Sequence, residues 1–244
     1  MADAPQIRPI NQPRVLVVEG KDEIHCFSAL VAHLKLSGFQ IITLEGKGNL
    51  RDRINRVRSA SGFAENAISL GVIRDADQNA TGAFESVADA LRSAGFQRPS
   101  APGQFFGDSP RVGVLILSAD GSQGMLEDLC LQSVADDLAM SCVDDYFACL
   151  REHADKFPAN LSKARVRAFL TSREMIETGH YEQLRGLAES QPPGPPVEES
   201  LSRLHTFLAS RYKPDLDLGR AAEAGYWNFD HPVFDRVKDF LRAL

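Results

Sequence analysis

The chain has 244 residues, 43% of them hydrophobic and 25% charged, and 33 acidic against 27 basic side chains give a formal net charge of −6. That balance suits a folded globular protein able to bury a full core and excludes wholesale disorder. It argues against a protein that coats nucleic acid by bulk charge, which needs clustered Lys and Arg, but leaves room for a local basic groove.

Residues 1–13 carry neither the apolar core nor the basic start of a secretory leader, and no apolar run approaches the ~18 residues of a membrane span. Cys26, Cys130, Cys142 and Cys149 form no CxxC pair and no zinc spacing. The expectation is a cytoplasmic protein with reduced thiols and no membrane contact.

A buried strand, Val15-Leu16-Val17-Val18, opens the chain and runs into Glu19-Gly20-Lys21-Asp22-Glu23. Asp22 can cap a helix whose apolar positions Ile24, Phe27, Leu30, Val31 and Leu34 recur at helical spacing, with Gly38 ending it. A second strand over 39–44 leads into Glu45-Gly46-Lys47-Gly48-Asn49 and a short helix bearing Arg51, Arg53, Arg56 and Arg58. Leu70-Gly71-Val72-Ile73 is a third strand, ending in Arg74-Asp75-Ala76-Asp77, and Phe84, Val87, Ala88 and Leu91 mark the helix that Gly95 closes. Residues 97–110, rich in Pro and Gly, suit a long surface loop. A fourth strand over 111–117 turns through Ser118-Ala119-Asp120-Gly121 into a helix with Met125, Leu126, Leu129, Cys130 and Val134. Beyond about 144 only helical patterns follow, at 146–153, 163–170, 181–188, 201–208 and 234–244, interrupted by Gln191-Pro192-Pro193-Gly194-Pro195-Pro196.

The alternation of apolar runs and helices predicts an α/β fold: a mostly parallel, Rossmann-like sheet of about four strands flanked by helices. The expected organisation is a tail over 1–12, the α/β domain over 13–140 and a helical C-terminal extension over 141–244, with the proline-rich break at 191–196. There is no internal repeat.

In open parallel sheets ligands bind outside the carboxyl ends of the strands. Glu19, Asp75 and Asp77 then share one rim. Carboxylates held so close repel one another unless a cation joins them, and hard oxygen ligands favour an ion such as magnesium. Asp75 and Asp77, at i and i+2 on an extended strand tail, would face the same side and grip one ion together. The plainer readings are a helix-dipole carboxylate at Glu19 and an Asx turn at Asp75 and Asp77.

Val17-Val18-Glu19-Gly20-Lys21-Asp22-Glu23 followed by Arg74-Asp75-Ala76-Asp77, with Gly46-Lys47-Gly48-Asn49 between them, resembles the signature of the Toprim superfamily, shared by topoisomerases, bacterial primases and the overcoming-lysogenization-defect nucleases. The resemblance covers roughly residues 13–140 and points to small stand-alone bacterial Toprim proteins, more distantly to the nuclease branch. It implies that Glu19 is a general acid or base or a metal ligand, and that Asp75 and Asp77 bind Mg2+, with Mn2+ able to substitute, at one or two ions. The nuclease branch implies Glu23 as a further ligand, Glu127 as another, and Lys163 as a cation near the transition state. Glu23 and Glu127 also fit first-turn dipole complementarity, Asp120 rivals Glu127, and Lys163 also fits an exposed helix lysine.

For phosphate contact the candidates are Lys21 and Lys47, each one residue from a glycine at a strand end, with Arg51 and Arg74 near the rim. The loop at 46–49 has neither P-loop nor dinucleotide-binding spacing. Tyr226-Trp227-Asn228-Phe229-Asp230-His231 reads as an anchor for a terminal helix or, less simply, as a base-stacking platform.

The resulting expectation is a Mg2+-dependent nuclease acting on nucleic-acid phosphodiester bonds, DNA ahead of RNA. The alternative is a non-catalytic Toprim subunit that binds nucleic acid or a nucleotide in a DNA repair or phage-defence system, with a protein partner or as a homo-oligomer. A third reading is a phosphohydrolase of a small phosphorylated metabolite.

Overall fold

The computed structural model describes residues 7–43, 50–118, 121–177 and 217–244, with the backbone alone at 174–177. Lys47, Asp120, the helices expected at 181–188 and 201–208 and the break at 191–196 lie outside the described residues. The chain divides into two compact units, one formed by Met1–Ala135 with Leu218–Leu244 and the other by Asp136–Asp217. The final stretch, expected in a helical extension, thus belongs to the sheet unit.

Five strands make one sheet in the order β2-β1-β3-β5-β4: β1 (Arg14–Val18), β2 (Phe39–Thr43), β3 (Ser69–Asp75), β4 (Phe105–Phe106) and β5 (Arg111–Leu117). All neighbours are parallel except β4 on β5. The mixed α/β architecture agrees with the sequence expectation, whereas the fifth strand does not: a two-residue edge strand forms inside the expected loop. Its cause is Phe105. Gly71 and Gly113 lie opposite each other in the β3–β5 register, and the two missing side chains leave a flat patch. A Cβ at Gly113 would lie 2.8 Å from the Phe105 ring, and one at Gly71 would lie 3.0 Å from Phe240. Phe105 and Phe240 stack with centroids 4.9 Å apart, so aromatic rings replace the side chains the glycines lack.

Side-chain alternation along each strand separates two buried faces. Val15, Val17, Leu70, Val72, Val112 and Val114 pack with Ile54 and Val57 of α2 (Leu50–Arg58), Phe63 of α3 (Phe63–Asn66), and Val87 and Leu91 of α4 (Ala80–Ser93). The opposite face holds Leu16, Val18, Gly71 and Ile73. Cys26, Phe27 and Leu30, buried on α1 (Lys21–His33), belong to this unit too.

The C-terminal return completes this unit. Helix α8 (Leu218–Glu223) packs along α1, where a Cβ at Gly219 would lie 2.6 Å from the Asp22 carbonyl oxygen. Trp227 is buried and its indole N–H donates to the Leu218 carbonyl at 3.0 Å. A 3-10 turn (Pro232–Phe234) packs on α5 (Leu126–Ser133), and α9 (Asp235–Ala243) buries Val237, Phe240 and Leu241. Buried Ser69 on β3 donates its hydroxyl to the Leu244 main-chain oxygen. The aromatic cluster is therefore an anchor, with Trp227 and Phe229 both inside the core and unavailable to stack on bases.

In the second unit α6 (Leu138–His153) packs against α7 (Leu161–Glu177) through Met140, Val143, Phe147, Val166, Phe169 and Leu170. Among the described residues no helix is long and apolar enough to cross a membrane.

Candidate functional site

From β1 the chain moves outward to β2 and then crosses back to β3 on the other side of β1. The carboxyl ends of β1 and β3 therefore flank a topological switch point, where successive connections leave in opposite directions and open a crevice. Glu19 follows β1 directly and Asp75 is the last residue of β3. Their proximity across 56 positions follows from the topology.

Asp75 sits on the same strand face as Gly71 and Ile73. One of its oxygens, Oδ1, accepts the Leu126 N–H at 3.0 Å, so it caps the start of α5. Burial pushes its carboxyl up to about 8, reinforced by the charges of Glu127, then Glu19, then Glu23, with the Leu126 N–H acting in the opposite direction. Glu23, half-buried one turn into α1, is also raised, first by burial and then, against its own main-chain hydrogen bond, by Asp22, Glu127 and Glu19. Gly20 is small for a reason visible here: a Cβ on it would lie 2.9 Å from Glu23 Oε2. Cys26 and Cys130, three residues on from Glu23 and Glu127, are both fully buried free thiols, and burial pushes the Cys130 thiol well up. They form an apolar floor that raises the cost of charge above it.

Glu19 has a different partner. Its side chain, 41% exposed, lies 2.8 Å from Arg74 Nε, while its carbonyl accepts the Thr43 hydroxyl at 2.8 Å. The Arg74 side chain is on the opposite strand face from Asp75, with Leu70 and Val72.

The structure thus brings Glu19, Glu23, Asp75 and Glu127 into one electrostatic group, while Asp77 stands apart in conformation. β3 ends at Asp75, and Asp77, exposed, adopts a left-handed backbone with φ +50°. It exchanges both main-chain hydrogen bonds with Gly124 at 2.9 Å. The extended tail assumed for an i, i+2 grip is not formed. The bridge does other work, since it ties the loop after β3 to the loop that leads into α5, and the Ala80 N–H to the Ser122 carbonyl extends the tie.

Lys21 is exposed as the first residue of α1, and Arg51 is exposed in the first turn of α2. Lys163 is exposed in the first turn of α7, where the Asn160 side chain accepts its N–H at 2.9 Å; it belongs to the second unit. Sequence reading missed the roles of Leu126 and Asp128. Asp128 accepts the Met125 N–H at 2.9 Å, a capping pattern whose only signal was an acidic residue three positions into the helix.

The donor set is all carboxylate oxygen around Asp75, pushed up first by burial and then by like charge, a chemistry that suits a hard divalent cation. Among the described residues no three His, Cys, Asp or Glu side chains stand in a preformed metal-holding arrangement.

A family model described as "Protein of unknown function (DUF3226)" matches residues 13–192. The chain belongs to the DUF3226 family. No curated protein matches it. Two solved structures of the C-terminal region of the Xanthomonas campestris pv. campestris OLD protein, phased with mercury and with iodine, align over 95% of this chain and 95% of theirs. Identities are 12% and 13%, with TM-scores of 0.39 and 0.37. Agreement of that size transfers no residue role to this DUF3226 protein, whose site is argued from its own geometry.

Proposed function

We propose that the first unit is a Toprim-type, divalent-cation-dependent phosphodiesterase domain acting on nucleic acid, with Mg2+ as its ion and Mn2+ able to substitute. One observation carries the reading: Asp75, at the switch point of a parallel sheet, has its carboxyl pushed up to about 8 by burial, reinforced by the charges of Glu127, Glu19 and Glu23. A fold maintains such repulsion at a cost, which a bound cation relieves. The motif resemblance to the Toprim superfamily supports the same reading.

Asp75, through the oxygen not used to cap α5, and Glu23 and Glu127 beside it would hold the ion. When bound, the ion supplies compensation for charge developing on a phosphoryl group. Glu19, exposed where Glu23, Asp75 and Glu127 are half-buried, would join them on the ion through one oxygen and take or return a proton at the reacting oxygen with the other. Lys21, Lys47 and Arg51 would contact flanking phosphates, and Asp77 would contribute through the bridged loop.

Incubation with single-stranded and duplex DNA and RNA in Mg2+ or Mn2+ tests this. The expected result is cleavage that Asp75→Asn and Glu19→Gln abolish. Absence of cleavage of all four substrates, or equal cleavage by the variants, contradicts it.

A further inference from the structure

We propose that Arg74 is an internal counter-ion that occupies Glu19 until a cation arrives, and that its guanidinium then passes to a phosphate of the substrate. The inference rests on the cation-site reading above and adds to it a residue with two alternating partners.

Three observations support the exchange. Strand alternation places Arg74 and Asp75 on opposite faces of β3, so Arg74 does not neutralise Asp75, whose carboxyl stays under the influence of Glu127, Glu19 and Glu23. Arg74 instead lies 2.8 Å from Glu19 at the mouth of the crevice, with the two side chains 31% and 41% exposed. At that exposure an ion pair is weakly held and its partners exchange readily.

The second observation concerns direction. Arg74 Nε is itself a buried atom, and it lies at ion-pair distance from Glu19 without an aligned hydrogen-bond acceptor. The pair neutralises charge but leaves a buried N–H unsatisfied, and such a donor gains when an acceptor enters along its axis. The third is chemical. A guanidinium never loses its charge, and its planar fork matches carboxylate and phosphate oxygens equally well. Once a cation draws Glu19 towards Asp75, the same fork, one residue from the proposed ligand, faces the position of an incoming phosphate.

The role predicts effects of opposite sign. In a calorimetric Mn2+ titration Arg74→Gln should bind the ion about two- to fivefold more tightly than the native protein, because Glu19 is no longer engaged. In Ca2+, the same variant should bind a labelled twelve-residue oligodeoxythymidylate about two- to fivefold more weakly, with a salt dependence shallower by about 0.7 in the log–log slope, the loss of one phosphate contact. Arg74→Lys should recover part of the oligonucleotide affinity. In a Glu19→Gln background Arg74→Gln should no longer tighten Mn2+ binding, since the two residues then have no pair to break.

A purely structural role would weaken both affinities together, and that outcome overturns the proposal, as does unchanged Mn2+ affinity in Arg74→Gln. If the native protein binds Mn2+ and only the Arg74 effects are missing, this inference alone fails. If the native protein binds no Mn2+, the cation-site reading fails and the inference with it.

Discussion

Two helix-capping aspartates, one in each unit, sit in opposite surroundings. In the helical unit Asp137 pairs with Arg173 while its other oxygen accepts the Ala139 N–H at 2.9 Å to cap α6, and Asp144 pairs with Arg165. Each meets a basic side chain. In the sheet unit Asp75 is placed among Glu127, Glu19 and Glu23, where the fold disfavours its charge. Residues of one type are thus satisfied in one setting and frustrated in the other.

The largest effect should come from stripping the support beneath the frustrated site. Phe240→Ala removes the ring that covers Gly71 and stacks on Phe105 and should cost about 3–5 kcal/mol in urea unfolding. Trp227 is the only tryptophan and is buried in the same unit, so its fluorescence reports this loss specifically.

Asp75→Asn should act in the other direction. The native state holds the Asp75 proton more tightly than the unfolded chain does, from the ordinary 3.8 up to about 8. Stability of the cation-free protein therefore falls as pH rises from about 4 to about 8, and the full penalty is present above that. At about 1.4 kcal/mol per pH unit, even half of the rise makes the Asn variant ~3 kcal/mol more stable than the native protein at pH 9, with no difference near pH 4. Chemical denaturation at both pH values without divalent ions measures it. An Asn side chain keeps the Oδ1 acceptor for the Leu126 N–H, so the α5 cap survives.

In the helical unit the sign reverses. Asp137→Ala, which loses a cap and an ion pair, should destabilise by about 1–3 kcal/mol in thermal unfolding at neutral pH. Asp144→Asn should cost least, about 0.2–1 kcal/mol and less in high salt, because Asp144 is more than half exposed. A stabilised Asp137→Ala or a destabilised Asp75→Asn would erase the contrast.

Much of the sheet was legible in the sequence. The apolar runs at 15–18, 70–73 and 112–117 are continuous because both their faces are covered, and Gly95 follows the end of α4 as expected, whereas α1 ends at His33 with left-handed Lys35 turning the chain well before Gly38. Glu19 and Asp75 were legible because strand ends at a switch point are predictable from connectivity alone. The fate of Asp77 was not, since its left-handed turn is set by hydrogen bonds to Gly124, a residue 47 positions away whose partner no local pattern announces. The return of 218–244 was hidden for a similar reason. An amphipathic helix such as α9 shows that it needs a partner, while its choice of the β3–β5 surface depends on Gly71 and Gly113 lying opposite each other, a fact of register. The Arg74–Glu19 pair likewise depends on which strands are neighbours.

Calorimetric titration of the native protein with Mn2+ at pH 6 and pH 8, beside Asp75→Asn, tests the cation site most directly. The account predicts binding that strengthens from pH 6 to pH 8, by up to about tenfold per unit as the ion displaces the Asp75 proton, and its loss in Asp75→Asn. A native protein that binds no Mn2+ at either pH, or an Asn variant that binds as well as the native one, would contradict it.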